Sequence, residues 1–255
     1  MQLLNLQGIG AYGSDEELRS NIVSALARGL PEVSVGPVVH DGTFVIVGSG
    51  PALPEFVEQI RAEQAQGKPV CAVKGAYNFL TDHGITPQVY FNLEARYRPL
   101  KQPSKATLYL LASRCDPQQF DDLAGYRVQM FHTWDGKEPI AELKGRPLLT
   151  GGSTSGLRAI VMGYAWGFRK FSMYGFDSCI RADNVKRFSG ESVEEHKTLE
   201  VICGGRAFKT NGAMALQAQD WRDMLSLVHD CEFRVHGDGL LAAIHREWLK
   251  LRAAA

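Results

Sequence analysis

The segment Val47-Gly48-Ser49-Gly50-Pro51 follows an apolar run at 43–47 and opens a helical pattern at 53–66. Glycines there let the backbone turn tightly and approach a ligand. Pro51 suits a first helical turn, where its missing N–H costs nothing. The open N–H groups and the positive end of the helix dipole would favour an anion such as phosphate. On this reading Gly48, Ser49, Gly50 and Pro51 form a phosphate cradle. The loop is not the dinucleotide fingerprint, because Leu53 stands where the third glycine belongs. It is not a Walker A loop, because no Gly-Lys-Ser/Thr follows. The competing reading is a strand–helix turn with no ligand.

A second glycine-rich turn, Thr150 to Gly156, precedes another helical pattern and places Gly152, Ser153, Thr154 and Ser155 at its start. Hydroxyls at a helix start cap it and also suit a phosphate or a ribose. Lys74, Asn92, Glu94 and Asp177 each follow an apolar strand-like run. In a parallel sheet they would share its carboxyl edge with the two turns. Lys74 would then contact phosphate, and Glu94 and Asp177 would hold Mg²⁺, which typically takes one or two carboxylates plus substrate phosphate. Taken singly, each is also what a solvated loop charge looks like.

These residues need a framework that brings strand ends together. Apolar runs at 43–47, 70–74, 88–92, 106–112, 127–131 and 170–175 read as strands, with helices at 53–66 and 155–167. Strands alternating with helices imply an α/β, Rossmann-like, doubly wound and mainly parallel sheet. The expected organisation is an N-terminal helical arm (1–40), with a helix at 15–29 capped by Ser14 and a linker at 31–41; a nucleotide-binding core (41–180); a polar, glycine-punctuated excursion or lid (181–212); and a C-terminal helix-strand-helix extension (213–255), its last helix capped by Asp238.

Composition sets the outer limits. The 255 residues carry 28 Lys+Arg against 28 Asp+Glu, which argues against a nucleic-acid-coating protein. No apolar run approaches the ~20 residues of a membrane span, and Met1–Gly13 lacks the basic start of a secretory leader. Five scattered cysteines without a Cys-x-x-Cys pair point to reduced thiols in a cytoplasmic protein rather than a disulfide or zinc scaffold.

Three blocks carry a resemblance: VIVGSGPAL at 45–53, CAVKGAYNFL with GITPQVYFNLE at 71–94, and GGSTSGLRAIVMGYAWGFRKFSMYGFDSC at 151–179. Their order and spacing resemble the MptE-like family, named for archaeal 6-hydroxymethyl-dihydropterin diphosphokinases and also including domains of flagellar motility accessory factors. The resemblance implies a Rossmann-like sheet and a nucleotide-using transferase, with diphosphate transfer from Mg²⁺-ATP to a hydroxymethyl-bearing small molecule as its named version. The chain departs from the family pattern at Lys74, where many relatives have Asn, and at Gln88 and Glu94, where Asp is expected. The same blocks resemble Rossmann-like bacterial sialyltransferases at Gly48–Leu53, Tyr90–Asn92, Ser155-Gly156 and Gly175–Asp177. The general-base histidine of those enzymes is missing near Phe208–Asn211, with His196 about a dozen residues too early. Two alternatives to the diphosphokinase follow: a glycosyltransferase using a nucleotide-sugar donor, and a non-catalytic nucleotide-binding module. Nucleotide donor and small-molecule acceptor are the implied partners of the enzyme readings.

Overall fold

The computed structural model describes residues 13–36, 38–135 and 140–254. Seven parallel strands form one sheet: β1 (His40–Val47), β2 (Val70–Val73), β3 (Val89–Asn92), β4 (Leu108–Ala112), β5 (Arg127–Phe131), β6 (Phe168–Tyr174) and β9 (Glu232–Val235), in the order β5-β4-β3-β2-β1-β6-β9. Strands β2 and β3 are buried along their whole length, as continuous apolar runs covered on both faces should be. The chain is thus an α/β, Rossmann-like fold. The order reverses between β1 and β6, and the carboxyl ends at such a reversal open a crevice.

Helix α5 (Ser155–Ala165) packs against β1, β2, β3 and β6. It lies close because it carries glycine where a side chain would collide: a Cβ on Gly156 would lie 2.7 Å from the Phe176 ring, and one on Gly163 2.8 Å from both Phe44 and Phe171. Two short helices that the periodicity did not reveal, α3 (Ala76–Asp82) and α4 (Pro117–Asp121), follow β2 and β4. At seven and five residues they are too short to establish a helical period.

Helix α1 (Asp15–Leu26) is capped by Ser14, whose hydroxyl accepts from the Glu17 N–H at 3.1 Å. The rest of the expected N-terminal arm, residues 1–12, lies outside the described residues. The expected linker at 31–41 is partly sheet: Met130 N–H donates to Pro31 O and Val33 N–H to Met130 O, which covers the β5 edge. The expected helix at 53–66 is two pieces, a 3-10 turn at Leu53–Phe56 and α2 at Val57–Ala65. Pro54 sits in the 3-10 turn, while Pro51 belongs to the turn before it.

Within the polar excursion, β7 (Leu199–Cys203) and β8 (Arg206–Thr210) make an antiparallel hairpin around Gly204-Gly205, both with positive φ. Two such residues between strands suit a two-residue turn whose twist matches the hairpin. Helix α6 (Gly212–Leu227) leads into β9, which extends the parallel sheet beyond β6. Helix α7 (Leu240–Ala253) closes the chain and accepts the buried Trp221 indole N–H at Leu241 O, 3.1 Å. Asp238 does not cap α7: Gly239 holds the cap position, and Asp238 is drawn instead to Arg206 and Arg246.

Candidate active site at the sheet reversal

Two loops meet above the reversal, the one after β1 and the one after β6. Gly48 N–H donates to Tyr174 O at 2.7 Å, and Gly50 N–H donates to Gly175 O at 2.9 Å. The loops interlock at van der Waals distance. A Cβ on Gly50 would collide with the Asp177 carboxylate and lie 2.8 Å from Gly175 O. Within the expected phosphate cradle only the Ser49 N–H has no acceptor among the described residues. The N–H groups of Gly48 and Gly50 are committed to β6 and its loop, and the 3-10 turn separates α2 from the crevice. Ser49 remains at the cavity wall, and Pro51 is buried behind it.

Further open donors lie at the second glycine-rich turn. Thr154 caps α5: its Oγ1 accepts from Leu157 N–H at 3.4 Å and from Gln217 Nε2 at 3.0 Å. Ser153 N–H is taken by Asp220 at 2.7 Å. Gly151 and Gly152 adopt positive φ, so this turn requires glycine for its backbone path. The first two N–H groups of α5, on Ser155 and Gly156, have no acceptor among the described residues, and the buried Ser155 hydroxyl has no partner. A helix start with open N–H groups is an anion site.

That helix start faces a cavity of about 160 Å³ lined by Ser49, Lys74, Ser155, Asp177, Lys186 and Arg187, among others. A second chamber of about 410 Å³ adjoins it and shares Lys74, Thr154, Ser155, Arg187 and Ala213. Lys74 stands between the two in a left-handed conformation, φ 51°, at the end of β2. Its ammonium lies 3.1 Å from Glu94, and burial lowers its pKa against the pull of that carboxylate. Arg187 and Lys186 reach in from the excursion, where both pair with Glu191 at 2.7 Å. The excursion rests on the first loop: Phe188 N–H donates to Ser49 O at 3.3 Å, and its ring packs 4.7 Å from that of Phe79.

Of the two expected metal ligands, Glu94 is buried and held by Lys74, Arg96 and Arg98 at 3.0–3.1 Å. Burial alone would raise its pKa, but the three cations bring it down to about 2. A carboxylate so engaged has its negative charge already spent. Asp177 lines the smaller cavity, whereas Glu94 lines the larger one. Asp177 receives one long hydrogen bond from Ala52 N–H, 3.4 Å, and burial pushes its pKa up to about 6. Among the described residues no group of three or more His, Cys, Asp or Glu is placed to hold a metal ion. A metal shared by Glu94 and Asp177 would have to compete with the three cations already on Glu94 and reach across two chambers. Asn92 is fully buried beneath the site, where its Oδ1 accepts from Glu94 N–H at 2.9 Å and orients that residue. Gln88 lies at the opposite end of β3, accepting from Val70 N–H at 2.9 Å, so the family departure there bears on the sheet and not on the site.

The sequence reading missed Arg114, Asp135 and Arg158. Arg114 and Arg158 are both buried and both hold Asp135. The two arginines left a signal: Arg114 follows a strand end like the residues that were singled out, and Arg158 is the lone charge in the apolar run of α5.

No helix among the described residues is long and apolar enough to cross a membrane. No curated protein matches the chain. Among solved structures it superposes on MAf glycosyltransferase from Magnetospirillum magneticum AMB-1 with a TM-score of 0.66 at 14% identity, over 97% of this chain and 43% of that one. The chain therefore spans less than half of that protein's length, and at this identity the likeness shows the fold. A mammalian sialyltransferase in complex with Gal-beta-1-3GalNAc-ortho-nitrophenol aligns at 12% identity over 92% of this chain and 90% of that one, with a TM-score of 0.45. The family model described as 6-hydroxymethylpterin diphosphokinase MptE-like matches residues 19–183, a match that supports a transferase, and the chain belongs to the MptE-like family.

Proposed function

We propose that this chain is a nucleotide-dependent transferase that neutralises the donor phosphate with its own cations and the α5 N-terminus, and that it moves a glycosyl group from a nucleotide sugar to a hydroxyl acceptor. One observation carries the choice: the open donors and the cations Lys74, Lys186 and Arg187 converge on one cavity, while Glu94 is consumed by three cations. In glycosyl transfer the acceptor oxygen bonds to the anomeric carbon. The bond from that carbon to the phosphate oxygen breaks, the electron pair leaves on the nucleotide, and the acceptor's hydroxyl proton passes to the departing phosphate oxygen. Charge then grows on a phosphate that stays in the cavity, where fixed N–H groups and cations stabilise it without reorganising. Diphosphate transfer from ATP instead depends heavily on metal at the transferred group.

The second reading, diphosphate transfer from ATP, is favoured by the description of the matching family and by Asp177, the carboxylate left in the smaller cavity. It would rest a metal on that single carboxylate and the phosphate oxygens. Product analysis separates the two. The intact chain is incubated with CMP-, UDP- and GDP-sugars and with ATP, each with a mixture of sugar-hydroxyl and hydroxymethyl-bearing acceptors, in EDTA and in Mg²⁺, and the released nucleotides are resolved by chromatography. Free nucleotide from a sugar donor in EDTA is the expected result. AMP formed from ATP only in Mg²⁺ selects the second reading, and no product from any donor overturns both.

A further inference from the structure

The larger chamber has its own electrostatic character. Glu94 faces Lys74 and Arg98, besides Arg96, and Asp135 faces both Arg114 and Arg158. Arg158 is fully engaged: Nε donates to Gly152 O, Nη1 to Thr133 and Nη2 to Asp135. Arg114 is not. Its Nε donates to Leu93 O at 2.9 Å and its Nη1 to Asp135 at 2.6 Å, whereas its Nη2 has no acceptor among the described residues. Arg114 is only 5% exposed, and it is fixed from behind by the buried Asn21, which donates to its carbonyl at 3.2 Å. Asp220, the remaining carboxylate of the chamber wall, accepts from Ser153 N–H on the far side, and Arg187 adds a further cation at the mouth. The Arg114 Nη2 group is therefore a guanidinium donor fixed in place at the chamber wall and open to it, and such a donor makes a strong, charge-assisted hydrogen bond to a carboxylate or phosphate. The unpartnered Ser155 hydroxyl lies at the wall that the two chambers share, where a donor in one would meet an acceptor in the other.

We infer that the larger chamber seats the acceptor, and that it selects a hydroxyl-bearing acceptor with an acid group, carboxylate or phosphate, received by Arg114 with Lys74 and Arg187. This inference rests on the transferase reading in so far as the ligand is an acceptor, whereas the anion site is tested independently of that reading.

The probe is selenate. Crystals of the intact chain, grown free of sulfate and phosphate, are soaked in sodium selenate, and again in selenate with CMP, UDP or ATP, and selenium is located by anomalous scattering. The expected result is a selenate in the larger chamber within hydrogen-bond reach of Arg114, retained when a nucleotide fills the smaller cavity. In Leu216→Glu, which puts a carboxylate on a half-buried position of that chamber alone, the site should empty while the fold persists. Absence of selenate from the chamber overturns the inference, as does its displacement by nucleotide, which would assign the chamber to the donor. Selenate unaffected by Leu216→Glu marks an adventitious ion only and also overturns it. Failure of every nucleotide to bind, with the chamber selenate in place, sinks the transferase reading and leaves the anion site standing.

Discussion

Glu94 and Asp177 illustrate how two carboxylates at equivalent strand ends come to do different work. Glu94 has a depressed pKa, so its contribution to stability is complete above the ordinary value of 4.5 and is lost as pH falls towards about 2. Two of its three partners are half exposed, which screens the pairs. Glu94→Gln should therefore cost about 2 kcal/mol at pH 7 by denaturant unfolding, with the gap to wild type narrowing below pH 4.5. A variant as stable as wild type would show that the cations do not depend on this carboxylate. Asp177 works in the opposite sense. Its folded pKa of about 6 exceeds the ordinary 3.8, so the folded chain keeps a proton that the unfolded chain has released. Stability then falls as pH rises from about 4 to 6. Asp177→Asn should raise stability by about 1–3 kcal/mol at pH 7.5 and change little at pH 4. Equal melting temperatures of variant and wild type at both values would contradict the buried, sparsely hydrogen-bonded carboxylate described above.

At the scale of elements, the two glycine-rich turns were legible as neighbours of one crevice, but not which of their N–H groups stay open. Both turns carry glycines and follow the same local grammar, and the distinction lies in contacts far apart in sequence. Gly48 and Gly50 are spent on β6, some 125 residues away, whereas the first N–H groups of α5 are left open. Sequence spacing cannot report such pairing, which arises only once β6 is laid beside β1. The consequence is measurable. Gly50→Ala should destabilise the chain by about 2 kcal/mol or more, because the new methyl meets Asp177 and a backbone carbonyl that cannot yield. Gly75→Ala, at the neighbouring strand end, meets only the Ser49 hydroxyl at 3.7 Å and should leave stability unchanged or up to about 1 kcal/mol higher. Thermal unfolding of the pair checks this, and a neutral Gly50→Ala would contradict the interlocked loops.

On the scale of the whole molecule, apolar runs and their breaks revealed the parallel sheet, because strands buried on both faces are legible as continuous apolar text. The Gly204-Gly205 hairpin was half legible from its glycines. The edge strand β9 was legible as a strand, but its place in the main sheet was not, since a four-residue run carries no information about its neighbour. The charged floor of the crevice escaped notice for a related reason: Arg114, Asp135 and Arg158 come from three separate segments and become a cluster only when β4, β5 and α5 are assembled. On the function proposed above, the assembly creates a crevice whose phosphate-binding capacity belongs to the chain itself. Calorimetric titration of CMP, UDP and ATP into the intact protein, in EDTA and in Mg²⁺, tests that claim most directly. The account predicts that at least one nucleotide binds with an affinity that differs less than threefold between the two conditions; binding that appears only in Mg²⁺ would contradict it.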